Sequence, residues 1–292
     1  MSETGTPDDP VAALPPLRDI IRDHGLRAEK ALGQNFLLDL NLTGKIARAA
    51  SAPLTGCTVF EIGPGPGGLT RALLLAGAKK VIAIEYDPRA IEALQSLKDA
   101  ANGRLDIVQM DALHADLPAL AAERGLDGPF VIASNLPYNI ATPLLTGWLE
   151  EVHAHPGRYR EMILMFQKEV AQRIAAAPSS KAYGRLAVLS QWLCAAKVMF
   201  DVPAAAFTPP PKVTSAIVRL IPRTQNNGDI AFSVMEKLTA AAFGQRRKMI
   251  RGSLKDYIGY VEACGLRTEA RAEELPPEDY IRLARAVSAA KA

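Results

Sequence analysis

Cysteine is scarce in this chain: three residues among 292, at Cys57, Cys194 and Cys264. They are odd in number, far apart and form no C-x-x-C pair. That argues against a disulfide framework and against a zinc site, and it fits a reducing compartment. No metal centre is expected. Long apolar runs are missing as well. None approaches the ~18 residues that a membrane-spanning helix needs, so no membrane partner is expected. No segment repeats another. Residues 1–16 are acidic and contain proline, with neither the apolar core of a signal peptide nor an arginine-rich transit helix. They read as a disordered leader on a cytoplasmic protein.

What is present is an ordinary globular composition, 49% hydrophobic and 22% charged. It supports a sizeable core in one or two domains. The formal charge of +3 hides an uneven distribution: between Arg158 and Arg223 ten Lys/Arg stand against three Asp/Glu. Such a stretch is either a solvated face or a surface for a polyanion.

From Thr58 to about Gln167 short apolar runs alternate with helical patterns. Residues 58–62, 80–84, 105–109, 130–134 and 162–166 read as buried strands, and 68–75, 88–97 and 142–150 as helices. Pro88 and Pro143 suit a first helical turn, where a missing N–H is harmless. This alternation predicts a parallel sheet covered by helices, an α/β fold of the doubly wound, Rossmann-like kind. Residues 184–194 read as a further helix, and 197–202 and 214–221 as late strands. The segment between these strands carries Pro203 and Pro209-Pro210-Pro211, so no regular element is expected in it. Beyond a polar breaker at 222–228 the strand signal ends, and 230–243, 246–257 and 278–287 have helical spacing. The predicted organisation is a leader (1–16), an α/β domain (17–222) and a smaller all-helical domain (229–292).

Three strand ends carry the candidate ligand site. Glu61-Ile62-Gly63-Pro64-Gly65-Pro66-Gly67-Gly68 closes the first strand and opens a helix. Glycines there let the backbone turn tightly and approach a ligand. Gly63, Gly65 and Gly68 also satisfy G-x-G-x-x-G, a weak signal alone, which keeps a nicotinamide or flavin enzyme in play. Glu85 ends the second strand, placed to accept hydrogen bonds from ribose hydroxyls. Asp111 follows the third, placed to accept from an adenine amino group. Any one of these is also an ordinary turn residue. Three in register favour a nucleoside pocket, but a dinucleotide and S-adenosylmethionine both carry that ribose.

Asn135-Leu136-Pro137-Tyr138 follows the fourth strand. An adenine amine is a poor nucleophile because its lone pair is delocalised into the ring. Acceptors aimed at its N–H bonds favour the pyramidal form that attacks a methyl group. The Asn135 side-chain carbonyl and the Leu136 backbone carbonyl are suitable acceptors. Pro137 biases Leu136 toward an extended conformation, and Tyr138 offers a face for a splayed-out base. An Asx-Pro turn is the bland alternative.

Together these motifs resemble the ribosomal RNA adenine N6-dimethyltransferases of the bacterial small-subunit type, over about residues 32–284. Gly33-Gln34-Asn35-Phe36-Leu37 resembles the family's N-terminal cofactor motif, and Phe207-Thr208-Pro209-Pro210-Pro211-Lys212-Val213 its late loop. Phe243-Gly244-Gln245-Arg246-Arg247-Lys248 resembles a signature of its C-terminal domain. The resemblance implies a class I methyltransferase domain using S-adenosylmethionine. It implies cofactor contacts from Asn35, Leu37, Gly63, Gly65, Glu85, Asp111 and Asn135. It implies catalysis by Asn135, Leu136, Pro137 and Tyr138, with Phe207 as a second stacking face. The implied substrate is a pair of adjacent adenosines in a hairpin loop near the 3′ end of 16S rRNA, in the 30S subunit or its precursor. Arg246, Arg247, Lys248 and Arg251 are the candidate RNA contacts; on a helix Arg247 and Arg251 would lie together, on a different face from the apolar Phe243, Ile250 and Leu254. Arg158, Arg160 and Arg185 are weaker ones. The competing readings are a 23S rRNA adenine methyltransferase, a related mitochondrial transcription factor, an NAD-dependent oxidoreductase, and a ribosome-assembly factor without catalysis.

Overall fold

The glycine-rich turn, the acidic strand ends and the Asn-Leu-Pro-Tyr segment all depend on one sheet. In the computed structural model, which describes residues 9–26, 34–224, 228–245 and 248–290, the chain opens with α1 (Leu17–Asp23), β1 (Phe36–Leu37) and α2 (Leu40–Ala47). A βα alternation follows: β2 (Thr58–Ile62), α3 (Gly68–Leu75), β3 (Lys80–Glu85), α4 (Pro88–Ala93), α5 (Gln95–Ala100), β4 (Leu105–Gln109), α6 (Leu117–Ala122), β5 (Phe130–Asn135), α7 (Ala141–Ala154) and β6 (Tyr159–Gln167). Then come α8 (Lys168–Ile174), α9 (Arg185–Leu193), β7 (Cys194–Val202), β8 (Phe207–Thr208) and β9 (Ser215–Pro222). Among the described residues from Phe232 to Ala289 there are only helices and one isolated bridge: α10 (Phe232–Phe243), α11 (Ile250–Ser253), α12 (Ile258–Ala263) and α13 (Pro277–Ala289).

The main sheet has seven strands in the order β4-β3-β2-β5-β6-β9-β7. Strands β4, β3, β2, β5 and β6 pair in parallel. β2 is buried along its whole length, and β3 and β5 at all but one terminal residue, because helices cover them, which is why they read as continuous Val/Ile/Phe runs. The order reverses between β2 and β5. In open α/β sheets that reversal leaves a crevice beyond the carboxyl ends of the strands, where ligands bind.

By contact density the chain divides into two units. One comprises residues 1–145, 157–168 and 198–219; the other comprises 146–156, 169–197 and 220–292. The second unit has its own aromatic core. The His153 ring lies 4.9 Å from Trp192 and 6.0 Å from Phe232, and Phe243 packs against Tyr183 and Tyr280.

Several sequence expectations need correction. The leader is built into the fold from Asp9: Val11 is fully buried, and the Arg71 guanidinium holds three leader carbonyls. Residues 1–8 lie outside the described residues. The proline-rich segment holds a 3-10 turn at Ala204–Ala206 and the two-residue strand β8, paired antiparallel with β1; proline restricts its neighbours but leaves Phe207 and Thr208 free to pair. The predicted helix 88–97 is two helices broken at Leu94. The predicted basic helix 246–257 is not continuous. Gly244 closes α10, Met249 bridges to Arg271, and a 3-10 turn at Lys255–Tyr257 follows α11. Phe243, Ile250 and Leu254 are therefore not one helix face, although Ile250 and Leu254 are fully buried.

Candidate functional site

The first wall of the crevice is the loop after β2. Gly63, Gly65 and Gly67 all have φ between 55° and 88°, a region that costs side-chain-bearing residues strain and glycine little. Gly68 opens α3 with no room to spare: a Cβ there would lie 2.5 Å from the Leu37 carbonyl oxygen. The loop is tied to the next strand end. Glu85, 6% exposed, accepts from the Gly65 amide at 3.1 Å, the Tyr86 amide at 2.8 Å and the Asp87 amide at 2.9 Å. Burial raises its carboxyl above the usual range, and these three amides partly offset that. Asp87 caps α4, and the Arg89 guanidinium on its carboxylate holds it down at about 2.

The opposite wall comes from β1 and the end of β5. The Asn135 Nδ2 donates to the Asn35 carbonyl at 3.1 Å, which commits the amide nitrogen and leaves the Oδ1 acceptor uncommitted to that contact. Leu136 is buried. Pro137 packs against Gly63, its Cδ 3.6 Å from where a Cβ would stand. The Tyr138 hydroxyl lies 2.6 Å from the Ser215 hydroxyl, which is wholly buried on β9. Burial raises the Tyr138 phenol, so it stays neutral. On the floor, Glu61 is 1% exposed and its Oε2 has no hydrogen-bond partner. Burial, with the nearby Glu85 adding to it, pushes this carboxyl up to about 8, against a smaller opposing effect from the Thr70 hydroxyl and amide.

These walls enclose a crevice of about 260 Å³, near the lower end of small-molecule sites. Asn35, Leu37, Gly63, Gly65, Glu85, Asp111, Asn135, Leu136, Pro137 and Tyr138 all line it. Asp111 also caps the short turn at Ala112–His114 through the Leu113 amide. Phe207 is not brought there. Its ring is 2% exposed and belongs to the apolar core, since pairing of β8 with β1 sets it beside Leu37.

The family model for ribosomal RNA adenine dimethylase matches residues 25–288. The chain belongs to the ribosomal RNA adenine dimethylase family. It is 56% identical to the ribosomal RNA small subunit methyltransferase A of Xanthobacter autotrophicus, over 93% of each chain. It is 53% identical to that of Rhodospirillum rubrum, over 98% of this chain and 96% of the other. Among solved structures it resembles a dimethyladenosine transferase from Plasmodium falciparum, with a TM-score of 0.68 and 28% identity over 84% of this chain and 94% of that one. It also resembles the 23S rRNA methyltransferase ErmE, with a TM-score of 0.64 and 26% identity over 86% and 99%.

For this dimethylase-family enzyme the oxidoreductase reading of the glycine loop falls away. The crevice also holds residues that the sequence reading did not single out. Tyr86 is 63% exposed and Leu113 48% exposed, and both line it. Large apolar side chains directly beyond strand ends were the available signal. Of the candidate RNA contacts, Lys248 and Arg251 are exposed, and Arg246 and Arg247 lie outside the described residues. Arg160 and Arg185 are engaged elsewhere. Arg160 binds Glu161 and the carbonyls of Ala52 and Pro53, and Arg185 binds Glu236. Among the described residues no cluster suited to a metal ion occurs, and no helix is long and apolar enough to cross a membrane.

Proposed function

We propose that the enzyme uses S-adenosylmethionine to dimethylate the exocyclic N6 amines of two adjacent adenosines in the 3′-terminal hairpin loop of 16S rRNA, within the small ribosomal subunit or its precursor in the cytoplasm. One observation carries this reading: the glycine loop after β2 and the Asn135–Tyr138 segment after β5 meet in one crevice at the reversal of the sheet. The names of the curated relatives favour small-subunit RNA over large-subunit RNA.

The residues present fit the cofactor. Glu61 offers an unpartnered buried acceptor to a donor-bearing ligand, and the glycine loop leaves backbone accessible. Glu85 would hold the ribose hydroxyls and Asp111 the adenine amino group, with Tyr86 and Leu113 flanking that ring. Gly63, Gly65, Asn35 and Leu37 would pack along the amino-acid portion. When bound, S-adenosylmethionine supplies an electrophilic sulfonium methyl. Asn135 Oδ1 and the Leu136 carbonyl accept from the N–H bonds of the target amine and favour its pyramidal, nucleophilic form. Pro137 fixes the turn that aims both acceptors. Tyr138, held by Ser215, stacks on the splayed-out base. No strong base is required, so catalysis is mainly orientation and electrostatics. Lys248 and Arg251, with Arg246 and Arg247, contact phosphates from the helical 229–292 domain.

The test is incubation with tritiated cofactor and small subunits from a strain lacking this modification. Label in N6,N6-dimethyladenosine at two adjacent 3′-terminal positions is expected. Label confined to large-subunit RNA, or none, would overturn the proposal.

A further inference from the structure

Residues 9–24 precede the family model's match, which begins at residue 25, and they are built onto α3 and the rim of the crevice. Arg71 is 4% exposed on α3, the helix that the glycine loop opens. Its guanidinium donates to the carbonyls of Pro15 at 2.8 Å, Ala12 at 3.0 Å and Leu14 at 2.6 Å. No carboxylate answers its charge among the described residues, and burial lowers its pKa. A buried cation is tolerated only where dipoles or counter-charges solvate it, so the leader carbonyls are its solvation shell. The leader is fastened again at Asp9, which pairs with Arg104, and at Val11, which inserts wholly into the core.

This strap runs directly into α1, and α1 touches both walls of the crevice. Leu17 and Ile20 share an apolar cluster with Phe36, Ala90 and Ala93. Phe36 lines the crevice, and its ring lies 3.1 Å from where a Cβ on Gly65 would stand. At Gly68 the carbonyl of Leu37 and the side chain of Leu17 converge within 3.1 Å of the same Cβ position. The strap therefore leads into a helix that abuts both the β1 rim and the glycine loop.

We propose that Arg71 is a positioning residue for the methyl donor: by clasping the strap Asp9–Pro16 it holds α1 against Phe36 and Gly68, and docking of the strap and filling of the crevice favour one another. This rests on the reading of the crevice as the cofactor site. Coupling between two sites is reciprocal, which separates a positioning role from a merely structural one. A strap that only stabilises the fold would gain no more protection from ligand than the core strands remote from the crevice.

The experiment is hydrogen exchange on the full-length enzyme with and without S-adenosylhomocysteine, followed by calorimetry on Arg71 variants. Saturating ligand should slow exchange of the amides of residues 11–14 and 17 by about tenfold more than it slows the core strands, within the usual range for coupled sites. Arg71→Met should weaken ligand binding by about the same factor and abolish that protection. Arg71→Lys, which keeps the charge and one donor, should recover part of both. Should Arg71→Met not fold, the ligand dependence of exchange in the wild type decides. Ligand binding that protects the strap no more than the core strands overturns the strap proposal alone. A wild type that binds no ligand, or a Glu85→Ala variant that binds as well as wild type, overturns the crevice reading and this proposal together.

Discussion

The crevice and the basic segment around Lys248 were equally visible as sequence motifs, yet only the crevice came out as its spacing predicts. In the first unit the glycine loop, Glu85, Asp111 and Asn135–Tyr138 each sit at or just past the end of a parallel strand. Strand ends are set by the sheet, so a residue one or two positions past β2, β3, β4 or β5 has nowhere to go but the same edge. In the second unit the basic residues were placed by helical periodicity, which needs an unbroken helix to mean anything. Gly244 closes α10, and Met249 pairs with Arg271 before α11 begins. Motifs at the ends of strands inherit their geometry from topology. Motifs on helices inherit it only while the helix continues.

The most severe way to break the crevice is at Asn135. Asn135→Ala should fold, because the side chain is only half-buried and makes one rim contact. It should bind RNA with wild-type affinity. Turnover at saturating cofactor should fall by ~10²–10³, the usual loss for one oriented polar group acting at the transition state. Asn135→Asp keeps an acceptor and should retain part of the activity. Wild-type dimethylation by the Ala enzyme would remove the acceptor mechanism.

Next in size is Glu85. It holds the loop at Gly65 as well as facing the crevice, so Glu85→Ala should weaken cofactor binding by about 1–3 kcal/mol, the scale for hydrogen bonds to a charged group. RNA affinity should be unchanged. Equal cofactor affinity by calorimetry would take Glu85 out of the site.

The α/β alternation, the strand bounds 58–62 and 105–109 and helix 68–75 were legible because apolar runs bounded by glycine, aspartate or asparagine have few alternatives. Eight of the crevice residues were legible for the same reason, whereas Asn35 and Leu37 came only from the family resemblance. The rest was set by contacts distant in sequence. Phe207 looked available because its loop is proline-rich; pairing with Leu37, some 170 positions earlier, buries it. Val11 looked like leader because acidic residues and prolines flank its segment; Arg71 and Arg104 hold its neighbours Ala12 and Asp9. Arg160 looked like a phosphate contact because charge alone does not show that Glu161 and two carbonyls already hold it.

Glu61 gives a smaller, pH-dependent effect on the crevice. Its carboxyl is raised from 4.5 to about 8 in the folded enzyme. Below the ordinary carboxyl range both folded and unfolded chains hold the proton, and the contribution to stability is complete. As pH rises toward about 8 the unfolded chain ionises freely while the folded one resists, so stability is lost across that window. The melting temperature of the cofactor-free wild type should therefore fall with pH more steeply than that of Glu61→Gln. Parallel curves would mean that Glu61 is solvated or paired in the folded state.

The smallest effect belongs to the basic segment and bears on the other side of the comparison. Lys248 and Arg251 are exposed, with Glu269 the carboxylate near Arg251. With no continuous helix to align them, each should act as an independent phosphate contact rather than as part of one face. Each contact releases condensed counterions, so losing one reduces the slope of log affinity against log salt by about 0.7–0.9 units. Lys248→Ala and Arg251→Ala should each flatten the slope by that amount, and the double variant by their sum, because separate phosphate contacts add. Cofactor affinity should stay unchanged in all three, since neither residue lines the crevice. A double variant much weaker than the sum would show that the two cations act as one surface, and the helical reading of this segment would have described the bound state after all. A slope equal to wild type would leave both facing solvent and move the RNA interface elsewhere.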